Sequence, residues 1–262
     1  MDLDKLLAEV DAADMALAES VARRWKAALA LSAALEASDA GDEFNPAKDA
    51  ARIRAAVDTA SKAGAPADTI ARIWRTLIGD GLTASRVSDV IVAGGDFEDL
   101  SAGARGYFGF SARLTPMASP REALDRVSEA RGAVACMPWP EQAGQGQWWP
   151  MLNENRFSDL RIVSGWPMLP SAPDTTPDIA IVAKLPLESS GADNMFATAH
   201  DDHYEAERTL KRVGLEARVV ARVRSLALIR IQSFVAETDV RLAEARSSGL
   251  DGLRVVGACP RP

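Results

Sequence analysis

From Leu3 to Leu35 the side chains repeat at steps of four and three: Leu3, Leu7, Val10, Asp14, Leu17, Val21, Arg24, Ala28, Leu31 and Leu35. That period is one face of an α-helix, and a run of roughly 30 residues at about 1.5 Å each predicts a rod about 45–50 Å long. A single helix cannot bury its own stripe, so partners are required. The segment SDAGDEFNP breaks the rod. Asn45 then caps a second helix with Pro46 at its first position, running to about Gly64. A third helix begins near Pro66, carries Ile70, Ile73, Trp74, Leu77 and Ile78 on one side, and ends at Gly79–Asp80–Gly81. One very long helix with two shorter ones makes a poor monomer and a good half of an intertwined dimer.

At residue 89 the period changes. DVIVAGG, GAVACMP and DLRIVSGWP read as short buried strands, and ASPREALDRVSEARG as a helix capped by Ser119 with Pro120 at its first position. This is α/β alternation. A proline- and serine-rich loop follows at 167–178. Beyond it come IAIVAKLP, then MFATAH, a helix YEAERTLKRVG, strands in EARVVARVRS and LALIRIQSFV, a helix TDVRLAEARSSG, and the strand LRVVGACP. From Met195 the order is β-α-β-β-α-β, the split βαβ arrangement.

Composition narrows the function classes. The 262 residues are 47% hydrophobic and 26% charged with a net charge of −7, enough apolar residue for a sizeable core. No lysine or arginine tract appears, which argues against nucleic acid and against an anionic membrane surface as partners. No run of apolar residues is long enough to span a bilayer, and the acidic, amphipathic start is unlike a secretory signal. Two cysteines, Cys136 and Cys259, form no disulfide framework and no metal-type spacing. A cytoplasmic protein with no cofactor is the simplest expectation.

Taken in order, these stretches resemble a known family. LLAEVDAADMAL with ARRWKAAL is similar to the long helix of the all-helical chorismate mutases. DVIVAGGDFEDLSAGARGYFG, GAVACMP and DLRIVSGW resemble prephenate dehydratase, and LRVVGACPR resembles the end of an ACT domain. Together they resemble the bifunctional chorismate mutase/prephenate dehydratase, or P-protein, of phenylalanine biosynthesis. The resemblance implies an α+β multidomain chain: residues 1–86 a three-helix mutase-like domain forming an intertwined homodimer, 87–190 a truncated single α/β lobe, and 191–262 an ACT-like βαββαβ domain.

The resemblance also implies a chemistry. Chorismate carries two carboxylates and rearranges as charge separates across an ether oxygen, so its enzyme needs cations and a preorganised donor. Carried onto this chain, the family's mid-helix arginine is Arg24, its second-helix cluster reads Asn45, Lys48 and Asp49, and its third-helix pair falls at Gly81 and Ser85. The remaining cations fall at Leu7 and Leu35. Arg24, Lys48 and Asp49 are thus the catalytic candidates, and Arg24, Asn45, Lys48, Asp49 and Ser85 the ligand-binding set. Arg24 reads either as part of an anion site or as an arginine paired with Asp14 or Asp49, or reaching the surface. Losing an ether-oxygen donor at Leu35 lowers transition-state stabilisation by roughly 3–4 kcal/mol.

The dehydratase motifs are altered further. The family's Gly-Pro-x-Gly-Thr-Phe loop reads GGDFED, and its Thr-Arg-Phe motif falls at Pro177, Asp178 and Ile179, with Thr176 one residue away. The second lobe has no counterpart, so no cleft would exclude water. Dehydratase activity is therefore not expected, and the effector motifs of the ACT-like part are replaced as well. The expectation is a binding protein that senses a chorismate-like or aromatic metabolite or contacts another protein; a weak chorismate mutase is the alternative.

Four other features stand out. His200 and His203 in AHDDHYE could ligate zinc, but a turn in which Asp201 or Asp202 caps the next helix is favoured. Trp139, Trp148 and Trp149, half of the six tryptophans, read either as a partner-contact loop or as cover for a sheet edge left bare by the missing lobe. RLTP reads as a turn, and the mixed charges of ARIRAAVDTASK as a solvated helix face.

Overall fold

The computed structural model describes residues 2–38, 44–167 and 176–261. The breaker between the first two helices and most of the loop at 167–178 lie outside the described residues. Helix α1 (Leu3–Ser38) is followed by α2 (Pro46–Ser61) and α3 (Ala67–Ser85). Asn45 caps α2, its side chain accepting from the Lys48 amide at 3.0 Å.

The third helix corrects the expected stop. It runs through Gly79–Asp80–Gly81 to Ser85, and its buried face is Ala71, Arg75, Ile78, Gly79 and Leu82. Ile73 is exposed instead. The glycines are tolerated because Leu82 beyond them needs burial, and because Gly79 is where another helix crosses. A Cβ there would lie 2.5 Å from the carbonyl carbon of Phe108.

The remaining described residues form one nine-stranded sheet and the helices that cover it. Its elements are β1 (Asp89–Val92), α4 (Phe97–Phe108), β2 (Leu114–Pro116), α5 (Pro120–Glu129), β3 (Ala133–Pro138), β4 (Arg161–Trp166), β5 (Ile179–Ala183), β6 (Asp193–His200), α6 (Ala206–Arg212), β7 (Ala217–Val223), β8 (Leu226–Ile231), α7 (Val240–Ser247) and β9 (Arg254–Pro260). The order across the sheet is β2-β1-β3-β5-β4-β9-β6-β8-β7. RLTP, expected as a turn, supplies edge strand β2 parallel to β1, with Thr115 Oγ1 donating to Asp89 at 2.6 Å.

Alternation explains the layers. Val90, Val92, Val134 and Cys136 face α4, α3 and α2, while Ile91, Ala133, Ala135 and Met137 face α5. Strands covered on both sides read as unbroken apolar runs, which is why DVIV and AVACMP do. In the βαββαβ part, Met195, Ala197, Ile229 and Ile231 face α6 and α7. Phe196, Leu228 and Val256 point the other way, toward the tryptophan loop.

The two parts of the sheet join at β4 and β9, which run parallel with Ile162 opposite Gly257. A Cβ on Gly257 would sit 2.6 Å from the Cβ of Ile162, so the join needs a glycine. The helical part is fastened to this sheet by α2, where Arg54 donates to the carbonyls of Ser190 and Arg261. Arg54 thus leaves the solvated face expected of ARIRAAVDTASK, whereas Arg52, Asp58 and Lys62 stay exposed on it. No helix among the described residues is long and apolar enough to cross a membrane.

Candidate functional site

The three helices converge on a charged cluster that begins with a cap. With Asn45 closing α2, Asp49 falls in its first turn, where the helix dipole favours an acid. Its side chain is only 2% exposed, and Arg52, one turn further, reaches it at 3.3 Å. From α3, Arg75 approaches the other carboxylate oxygen at 3.5 Å and is itself completely buried. From α1, Arg24 donates Nη1 to the carbonyl of Leu77 at 2.8 Å and adds its charge to the same carboxylate.

One carboxylate thus faces three guanidinium groups. Burial raises the Asp49 pKa above the ordinary aspartate value, with Arg75 and then Arg52 pulling the other way. Burial also lowers the Arg24 pKa, reinforced by the charge of Arg52. The guanidinium of Arg75 lies 4.2 Å from the ring centroid of Tyr107 on α4, yet its nitrogens have no hydrogen-bond partner among the described residues. Tyr107 is buried in turn, its phenol pushed up to about 12, and it hydrogen-bonds with Ser164 on β4. A polar string therefore runs from the helices to the middle of the sheet.

Arg24, Asp49 and Arg52 line a pocket of about 250 Å³, closed by Ala27, Ala28, Leu31, Ile78, Gly81 and Leu82. This divides the ligand-binding set expected from sequence. Arg24 and Asp49 meet, whereas Lys48 and Asn45 line a neighbouring cavity. Asn45 is engaged there, donating Nδ2 to Glu188 at 2.9 Å. Ser85 lines neither, its hydroxyl donating to the Gly81 carbonyl at 2.8 Å within its own helix. Leu7 is exposed on the far end of α1, and Asp14 is exposed and takes no part.

Two members of the cluster, Arg52 and Arg75, were missed by sequence reasoning. Arg75 interrupts the stripe Ala71–Ile78–Leu82 just as Arg24 interrupts the stripe of α1, and that repetition was the available signal.

Of the two readings of the tryptophan loop, the exposed contact surface is corrected: the loop covers a face of the sheet rather than a bare edge. Trp139, Trp148 and Trp149 are all at most 2% exposed. Trp148 Nε1 donates to the carbonyl of Pro138 at 2.7 Å, and Trp139 meets Phe196 edge-on with centroids 5.4 Å apart. The loop fills the space between α5 and the second face of β6–β8–β9, so it offers no aromatic contact surface. His200 and His203 sit at a turn where Asp201 caps α6, accepting from the amides of Glu205 at 2.7 Å and Ala206 at 3.1 Å. In GGDFED, Asp96 likewise caps α4. No cluster of His, Cys, Asp and Glu among the described residues is placed to hold a metal ion.

No protein-family model matches the sequence, and no curated protein sequence does. Solved structures give partial likenesses. Prephenate dehydratase from Arthrobacter aurescens, determined with L-Phe, is 14% identical over 66% of this chain and 90% of its own, with a TM-score of 0.44. The Streptococcus mutans prephenate dehydratase is 14% identical over 66% and 98%, with a TM-score of 0.41. GqqA, described as a quorum-quenching acylase, is 12% identical over 66% and 95%, with a TM-score of 0.39. The chain is a mixed α/β protein similar to prephenate dehydratases over part of its length. At such low scores the likeness carries neither substrate nor residue roles to it.

Proposed function

We propose that this chain acts by binding rather than by turnover: a regulatory protein of aromatic metabolism that takes a small carboxylate of the chorismate type among its helices. In this reading residues 1–86 are a degenerate mutase-like unit, 87–190 a truncated dehydratase-like lobe and 191–262 an ACT-like unit. The protein pairs with a second copy through α1. One observation supports the binding role above others. Arg24 and Arg52 supply charge for carboxylates in the three-helix pocket, while its remaining walls apart from Asp49 are alanine, glycine, leucine and isoleucine. Beyond these two arginines nothing in that lining donates a hydrogen bond, so no separate donor is left for the ether oxygen, and such a loss slows catalysis by about 10²–10³.

The second reading, a weak chorismate mutase, is favoured by the meeting of Arg24, Asp49 and Arg52 in one pocket. There Arg52 would supplement Arg24, with Lys48 at the margin. The two readings separate in one experiment: chorismate consumption by the purified protein at micromolar concentration, with calorimetry and Arg24→Ala alongside. Binding without turnover, weakened by the substitution, is the expected result. Turnover abolished by Arg24→Ala would establish the second reading, and neither binding nor turnover would sink both.

A further inference from the structure

Beside the three-helix pocket lies a larger space. The C-terminal part of α1, the first two turns of α2, Val163 of β4, the end of β9 and the segment 185–188 line about 550 Å³, within the range of small-molecule sites. Its walls are mostly apolar, with Leu31, Leu35, Phe44 and Leu187 contributing large side chains. Lys48 and Arg52 bring two positive charges to the rim, and Glu188 brings one negative charge already engaged by Asn45. The ammonium of Lys48 has neither an ion-pair nor a hydrogen-bond partner among the described residues.

The balance of charge selects the occupant. Arg52 is shared with Asp49 and Glu188 is engaged by Asn45, so Lys48 leaves room for a single negative charge, and a multiply charged anion would face Glu188 and hydrocarbon. A neutral apolar molecule would leave Lys48 unpaired at the edge of a hydrophobic space. We propose that this junction cavity binds a small amphipathic monocarboxylate, its head on Lys48 and Arg52 and its apolar body against Leu31, Leu35, Phe44 and Leu187. The site is separate from the three-helix pocket and does not depend on a ligand there, although Arg52 and Leu31 line both spaces. Because its walls come from both helices and sheet, an occupant would tie the two together and raise the stability of the whole chain.

Calorimetry on the full chain with 3-phenylpropionate, and with the uncharged 3-phenylpropionamide, tests this. The acid is expected to bind saturably, and the amide at least tenfold more weakly. Lys48→Ala, a change at an exposed position, is expected to weaken the acid at least tenfold, Lys48→Arg to restore it, and Arg24→Ala to leave this site occupied. Equal binding of acid and amide, unaltered binding by Lys48→Ala, or no binding at millimolar concentration would each overturn the proposal. So would loss with Arg24→Ala while Lys48→Ala binds normally, which would put the acid in the three-helix pocket.

Discussion

Asp49 is buried against more positive charge than it can neutralise. Its raised pKa means that the protonated form favours the folded state. That contribution is complete below the ordinary aspartate range, near about pH 4, and is lost as pH rises through the folded value. Asp49→Asn, neutral at every pH, is therefore expected to flatten the pH dependence of the urea midpoint and to gain on the parent as pH rises. Freed of the carboxylate, Arg24 and Arg52 are expected to hold a carboxylate ligand about tenfold more tightly at low salt, as calorimetry would record. Arg75 makes the opposite case. Its truncation to alanine leaves Asp49 buried without its closest buried partner and removes the stack on Tyr107. Loss of one member of a buried pair costs about 3–5 kcal/mol, and urea denaturation at neutral pH would measure it.

At the level of elements, the crossing of α3 over α4 rests on a residue with no side chain. A Cβ on Gly79 would meet backbone atoms of Phe108 at 2.5 Å and Tyr107 at 2.6 Å, which cannot retreat as a side chain would. Gly79→Ala is expected to destabilise by about 2–3 kcal/mol and to alter the near-ultraviolet circular dichroism of Trp74 and Tyr107. Gly81, in the same helix, has open space where its Cβ would be, so Gly81→Ala is expected to stabilise by about 0.5–1 kcal/mol. The pair also shows what sequence could convey. Apolar period located α1, α3 and the strands other than β2, and cap residues placed the starts of α2 at Asn45 and α5 at Ser119. Gly79–Asp80–Gly81 looked like a stop because a glycine that ends a helix and one that admits a neighbour are the same letter. Arg24 was legible as a charge in an apolar stripe, and Asp49 only through the family resemblance; Arg75 carried the same stripe signal as Arg24, but its partners lie on other helices and no local pattern names them.

For the molecule as a whole, the unsettled surface is α1. Every described residue before Val21 is exposed, including Leu3 at 69%, Leu7 at 55% and Val10 at 58%. Helices in proteins draw most of their stability from packing an apolar face, and this one is bare, so the proposed pairing with a second copy has a physical motive. Light scattering on the purified chain is expected to give twice 27.9 kDa. Leu7→Glu combined with Val10→Glu is expected to halve that mass and lower helicity by circular dichroism; a parent that is already monomeric would exclude the pairing. The tryptophans teach the converse lesson about whole-molecule context. An aromatic loop rich in glycine and proline looks like a contact surface until the far face of a sheet, supplied by residues about fifty to a hundred positions later, closes over it.

The join between β4 and β9 has a consequence for biosynthesis. β9 lies between β4 and β6, yet both of those strands leave the ribosome before it does. Until residues 254–260 emerge, two inner strands present open hydrogen-bonding edges, the kind that recruit other chains. The nascent protein must therefore hold its sheet apart at the middle and close it last.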